Sequence, residues 1–276
     1  MRFECEVLLY MHTPRRSESP KQNKFILCST GEKTYLESAS SGKGVVTVNC
    51  FEDLRDLYNE MEMERGEDAY RYVSDLLLEA KELHHEYLAI HEPDKDKGQS
   101  WRSFKGKSFE QLVQYMIMER IEALELMVVN GNKLERSTRN LSQELKRVKR
   151  NLTIDYGEFG CHLPDVDVVV YDPKSSRVVA IISSKVTLRE RIAQTGYWKF
   201  KLSEDEDTAH VKVYFVTLDE DGTLIRVNRP KKGRAIVGID LDGTYVLTKE
   251  DFEESDKIKL FEHFIEDLKH VIGENQ

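Results

Sequence analysis

No run of 18 apolar residues occurs in the chain, so no helix is expected to cross a membrane. Cysteine is scarce. Cys5, Cys28, Cys50 and Cys161 are widely spaced and form no C-x-x-C pair, so neither a zinc ribbon nor a disulfide framework is indicated. A phosphate-binding P-loop is missing as well. In Ser41-Gly42-Lys43-Gly44 the G-x-x-x-x-G-K-[ST] spacing fails, because Gly31 is too far upstream and no Ser or Thr follows the lysine. Met1-Arg2-Phe3-Glu4-Cys5-Glu6 carries acid where a secretory leader carries base followed by a long apolar stretch. The expectation is therefore a protein of the reducing cytoplasm without membrane contact. No internal repeat is visible.

An excess of positive charge is also lacking. The formal net charge is −9, which by itself argues against a nucleic-acid partner, since phosphate contacts need Lys and Arg. The charge is unevenly placed, however. Lys133, Arg136, Arg139, Lys146, Arg147, Lys149 and Arg150 stand against only Glu135 and Glu144 between positions 133 and 150. A second basic stretch holds Arg226, Arg229, Lys231, Lys232 and Arg234. Either run is read as a solvated surface or as a face presented to a polyanion; what matters for DNA is the face, not the total.

At 276 residues the chain can bury one large core, or a catalytic domain with a smaller partner region. Residues 1–50 suggest short strands at 3–10, 24–28 and 45–49, and Phe51 to about Glu92 turns helical with a break at Gly66. His84 and His85 fall near the end of that helical stretch, where the helix dipole attracts histidine without any metal. The polar, breaker-rich segment 91–98 sets the expected boundary between an N-terminal α+β region, 1–100, and a second domain, 101–276.

The densest pattern runs from Pro164 to Phe200. P-D-V-D-V-V-V-Y-D, then the turn Asp172-Pro173-Lys174-Ser175-Ser176, then R-V-V-A-I-I-S-S-K reads as an antiparallel hairpin. Val166, Val168 and Val170 fall on one side of the first strand and Asp165 and Asp167 on the other. Folding about residue 174 or 175 sets Asp165 opposite Ser183 to Lys185. A carboxylate and an ammonium then meet at one end of a buried hairpin. That pairing suits phosphodiester cleavage: carboxylates are hard donors for Mg²⁺, and a lysine beside them can place a water and offset charge on the phosphorane.

Pro164-Asp165 followed by Ser183-Ser184-Lys185 resembles the PD-(D/E)XK nuclease motif, with Asp165 in the place of the metal-binding aspartate and Lys185 in that of the lysine. Ser183 stands where the second acid usually is. Arg189-Glu190-Arg191, just after the lysine, looks like the Arg-acid-Arg cluster of restriction endonucleases that recognise CCGG or CCNGG cores. The resemblance covers about residues 104–218. It implies a restriction-endonuclease-like α/β fold, a mixed sheet flanked by helices, with an early-helix glutamate reaching the metal. Gly106-Lys107-Ser108-Phe109-Glu110 looks like that feature. Glu110 is then either a metal ligand or a first-turn acid complementing the helix dipole behind a Ser108 cap. Glu158 and Asp167 are the other candidates for the missing acid.

The rest of the chain fits around the hairpin. Phe109, Leu112, Val113, Met116, Ile117, Ile121, Leu124 and Val128 give a wide helical stripe. Leu152 to Tyr156 reads as a strand. Thr187 and Glu190 form a capping box, which explains Glu190 without DNA but not the two flanking arginines. Arginine forks pair with guanine and a carboxylate accepts from cytosine, so Arg189, Glu190 and Arg191 are expected at base edges. His210 to Leu218 reads as a strand, residues 223–248 as two more, and Lys257 to Ile272 as a final helix. The resulting expectation is a Mg²⁺-dependent type II restriction endonuclease cutting double-stranded DNA at a short G·C-rich palindrome, as a homodimer, with Asp165 and Glu110 on the metal and Lys185 as catalytic partner. The alternatives are a structure-selective nuclease of the same fold and a DNA-binding protein with a decayed site.

Overall fold

The computed structural model describes residues 47–136, 140–188, 191–225 and 231–274, and Val46–Gln276 forms one compact unit. The strands expected at 3–10 and 24–28 lie outside the described residues, and 47–49 carry no strand. The unit opens with α1 (Phe51–Arg65) and α2 (Val73–His91), separated by a 3-10 stretch, Gly66–Tyr72. Leu54 and Tyr58 on α1, and Val73, Leu76, Leu77 and Ala80 on α2, are buried at the three- and four-residue spacing of one helix face. His84 lies inside α2 rather than at its end. Its Nδ1 meets Val48 O at 2.9 Å and its Nε2 meets Ser100 Oγ at 3.0 Å, which ties α2 to its neighbours.

The helix expected to open at Gly106 begins earlier. α3 spans Lys97–Glu122 and is capped by Asp96, whose side chain accepts from Gln99 N at 2.5 Å. Ser108 and Glu110 therefore sit about three turns inside it, and the first-turn dipole explanation for Glu110 falls. The helix also stops sooner than the apolar stripe suggested. Glu125 takes φ 58°, the chain reverses, and Val128 belongs to a strand, β1 (Met127–Asn130).

Two short helices follow, α4 (Gly131–Arg136) and α5 (Gln143–Arg150), the second capped by Ser142, which accepts from Leu145 N at 3.2 Å. β2 (Ile154–Asp155) pairs with β3 (Cys161–His162) as a small separate hairpin. The main sheet takes β4 (Val168–Tyr171), β5 (Val178–Lys185), β6 (Lys212–Thr217), β7 (Gly243–Val246) and β8 (Ile258–Leu260), in the order β1-β4-β5-β6-β7-β8. β1, β4 and β5 are antiparallel; β5 to β8 are mutually parallel.

Parallel neighbours need crossovers, and helices provide two of the three. α6 (Arg191–Ser203) links β5 to β6, and α7 (Lys232–Asp240) links β6 to β7. Among the described residues of 223–248 there are thus a helix and one strand, not two strands. Val237 and Leu241, buried four residues apart, carry the helical period that so short an apolar run leaves ambiguous. The final segment likewise begins with β8, and α8 (Phe264–Glu274) starts only at Phe264.

The sheet is buried on both faces. Val168, Val170, Ala180, Ile182, Tyr214 and Val216 share one core with α1, α2, α3 and α8. Val169, Tyr171, Ile181, Val213 and Phe215 share the other with Leu134, Val148, Ile192 and Val237. Strict alternation thus makes the strands near-continuous apolar runs, as parallel sheets covered by helices require.

Candidate active site at the end of the hairpin

The β4–β5 register is the one expected, with Val168 opposite Ile182, Val169 opposite Ile181 and Val170 opposite Ala180. Extended by three residues it would put Asp165 across from Lys185. The ladder ends first. Asp167 N still donates to Ile182 O at 3.1 Å, but Val166 packs with Val169 rather than with Val168 and Val170, so the pleat is broken just before β4. Gly131 shows why. Its N–H donates to Asp167 O at 2.9 Å, and a Cβ there would lie 2.9 Å from the Val166 carbonyl carbon and closer still to its oxygen. The start of α4 presses on this backbone and turns it out of the strand.

The bend decides which aspartate meets the lysine. Asp167 is 5% exposed, and its Oδ1 and Oδ2 each accept from Lys185 Nζ at 2.9 Å, while Oδ2 also accepts from the buried Ser184 N at 2.7 Å. Glu110 reaches the same ammonium from α3, with Oε1 2.5 Å from Nζ. Asp165 lies outside this trio. It is exposed, and its Oδ2 accepts from Gln194 Nε2 at 2.7 Å. The structure thus joins Lys185 to Glu110 and Asp167, two of the three residues considered for the missing acid, and not to Asp165, the partner expected from the hairpin. Ser183 is buried in β5. Glu158 is exposed, in the turn between β2 and β3.

Burial, then the charge of Asp167, push Glu110 above the usual carboxylate range, against the pull of Lys185. Burial alone would lower the Lys185 ammonium, but the Asp167 and Glu110 carboxylates outweigh it and the net direction is upward. Two carboxylates that converge on one ammonium form an electrostatic seat for positive charge.

Of the three residues expected at base edges, Arg189 and Glu190 lie outside the described residues, and with Glu190 the capping box. Arg191 is exposed at the first described turn of α6, and its Nη1 donates to Gln194 Oε1 at 3.0 Å. The basic run on α5 is partly committed elsewhere. Arg147 Nε donates to Ser176 Oγ at 3.1 Å and Asn151 Nδ2 to Ser176 O at 2.9 Å, at the turn end of the hairpin rather than at Lys185. In the second basic stretch, residues 226–230 lie outside the described residues, and Arg234 donates to the backbone oxygens of Leu224 and Glu253.

Oxygen donors of this kind suit a hard divalent cation. Among the described residues no group of three or more His, Cys, Asp or Glu is placed to hold a metal ion. A cation here would therefore take one or two carboxylates and fill its shell with water and phosphate oxygens, the usual Mg²⁺ pattern. Glu110 and Asp167 fit that demand, since a cation offsets both the burial of the Glu110 charge and its repulsion by Asp167.

Sequence reasoning paired Lys185 with Asp165, kept Asp167 only as a candidate for the missing acid, and did not single out Gln194 as a partner of Asp165. Asp167 was legible as the more buried of two aspartates had the Val166 position been doubted. Gln194 carries a weaker signal, its three-residue spacing from Arg191 on one helix face.

Known proteins resemble this chain over much of its length. The family model described as BsaWI restriction endonuclease type 2 matches residues 144–267. A Methanocaldococcus jannaschii protein named "Putative type II restriction enzyme MjaVIP" is 40% identical over 178 residues, covering 63% of this chain and 77% of that one. A Helicobacter pylori protein named "Probable type II restriction enzyme HpyAORF263P" is 28% identical over 178 residues, 61% of this chain and 91% of that one. Among solved structures, the restriction endonuclease AgeI in its DNA complex is similar over 79% of this chain and 91% of that one, at 14% identity and a TM-score of 0.45. A mixed sheet places an ammonium and two carboxylates at one strand end. The chain belongs to the type II restriction endonuclease family.

Proposed function

We propose that this protein hydrolyses phosphodiester bonds of double-stranded DNA at a short G·C-rich palindromic site, with Mg²⁺, as a homodimer. The observation that carries the reading is the convergence of Glu110, Asp167 and Lys185 at the open end of the β4–β5 hairpin. Glu110 and Asp167 would hold the cation, with Asp165 alongside. When bound, the metal supplies an acidified water and offsets phosphate charge. Lys185 contributes an ammonium at the same place, able to orient the attacking water and to stabilise negative charge on the phosphorus oxygens. Arg191 on the exposed end of α6 offers a fork matched to guanine O6 and N7, and Arg189 and Glu190, beside it in sequence, are assigned the same role. A palindrome cut on both strands calls for two copies related by a two-fold axis.

The test is digestion of plasmid DNA with and without EDTA, followed by end-sequencing of the fragments. Discrete fragments sharing one palindromic end, lost with EDTA and with Lys185→Ala, are expected. Random nicking would point to a structure-selective nuclease, and binding without cleavage to a decayed site; either result removes the reading.

A further inference from the structure

One polar connection is not used by the site just described. Gln194 sits on α6 three residues after Arg191, on the same helix face. Its Oε1 accepts from Arg191 Nη1 at 3.0 Å and its Nε2 donates to Asp165 Oδ2 at 2.7 Å. The orientation of the amide is chemically fixed. A guanidinium can only donate and an ionised carboxylate can only accept, so the oxygen must face Arg191 and the nitrogen Asp165. No other side chain of this length serves both neighbours. A glutamate would repel Asp165, and an asparagine is one methylene too short to span them.

We propose that Gln194 is a positioning residue that couples the seating of Arg191 on DNA to the orientation of the Asp165 carboxylate beside the Lys185 cluster. The inference rests on the nuclease reading above and deepens it. Arg191 has five N–H donors, so it can hold Gln194 and a base edge at once. A guanidinium seated on its base fixes Gln194, and Gln194 fixes one oxygen of Asp165 while leaving the other available. A guanidinium displaced by a wrong base releases the amide, and the carboxylate swings with it. Asp165 stands two residues before Asp167, which holds the Lys185 ammonium, so its carboxylate is carried on the same short stretch of backbone as the trio.

Two measurements on the full chain test this. In protein labelled with ¹⁵N only at glutamine, the side-chain amide pair of Gln194 is identified by its loss in Gln194→Met. It is expected to move in both Arg191→Ala and Asp165→Asn proteins. A pair that ignores either substitution overturns the relay, whether or not the chain cuts DNA. The second measurement is single-turnover cleavage at saturating DNA, on the cognate site and on a site with one altered base pair. Gln194→Met is expected to slow cognate cleavage on the order of tenfold to a hundredfold, the cost of a misplaced reacting group. Metal-free DNA binding should stay within about twofold, since Gln194 is not offered as a DNA contact. The altered site should slow less, so that discrimination narrows. Equal slowing on both sites, or a wild-type rate, overturns the proposal. Absence of cleavage by the wild-type chain counts against the nuclease reading alone and leaves the relay to the amide signals.

Discussion

Replacing Asp167 by alanine is the sharpest test of how the hairpin end is built. The side chain is 5% exposed and accepts from two groups, the Ser184 N–H at 2.7 Å and the Lys185 ammonium at 2.9 Å from each oxygen. Alanine leaves the buried Ser184 amide without that acceptor, a loss of about 1–3 kcal/mol. It also takes one of two carboxylates from a largely buried ammonium, and breaking such a pair by removing one partner costs about 3–5 kcal/mol. Glu110 remains on Lys185 at 2.5 Å and softens the second term, so the two together should come to about 3–5 kcal/mol rather than their sum. Asparagine keeps an oxygen for Ser184 and loses only the charge, for about 1–2 kcal/mol. Asp165→Ala, at an exposed position, should cost under about 1 kcal/mol in stability. Urea unfolding followed by far-UV circular dichroism ranks the three. A ranking in which Asp165→Ala is the most destabilising, or in which Asp167→Ala and Asp167→Asn are equal and near wild type, would falsify the assignment of Asp167 as the buried partner.

Further outcomes follow from the same geometry. Lys185→Met leaves Glu110 and Asp167 facing each other without a cation, so the Glu110 pKa rises further above its unfolded value. A carboxyl raised in the folded state contributes stability below its ordinary pKa that is lost as pH rises through the folded one. The gap between wild type and variant should therefore widen from about pH 4 to pH 7; an unchanged gap in urea unfolding refutes it. Lys185 itself, raised in the folded state, stabilises wild type up to the ordinary lysine range and loses that contribution only above it. Gly131→Ala drives a methyl into the Val166 carbonyl and should cost about 1–3 kcal/mol while slowing cleavage, because the displaced backbone carries Asp165 and Asp167. A Gly131→Ala protein with wild-type stability and rate would contradict the close contact. Arg191→Ala should lose about 1–3 kcal/mol of discrimination at one base position. Equal weakening on all sequences, measured by competition binding, would mark a phosphate contact instead.

Much of this arrangement could be read from residue order. The turn chemistry at Asp172 to Ser176 set the hairpin register, and the alternating valines and isoleucines set its two buried faces. The stripe from Phe109 to Ile121 placed Glu110 on a helix packed under the sheet. What could not be read was where regular structure stops. Alternation was carried through Val166, but the contact with Gly131, 35 positions earlier, bends the chain there, and that contact is tertiary. Asp165 and Asp167 look equivalent in a strand pattern and become unlike once the strand ends at Val168. The same limit hid β1 behind the end of α3, where only the left-handed Glu125 marks the turn, and hid α7, whose few apolar residues suit either period.

The sheet separates two cores that share no strand face, one beneath α3 and the other beneath α6. Glu110 hangs from the first layer, Arg191 and Gln194 from the second, and Asp167 and Lys185 from the sheet between them. The hairpin end therefore works as a caliper on the thickness of the whole sandwich. A methylene added or removed under α3, at Leu112 for instance, shifts one jaw against the other without touching any charged group. Cleavage rate would then report on core volume at a distance, and natural variation in the two cores would have to be matched across the sheet.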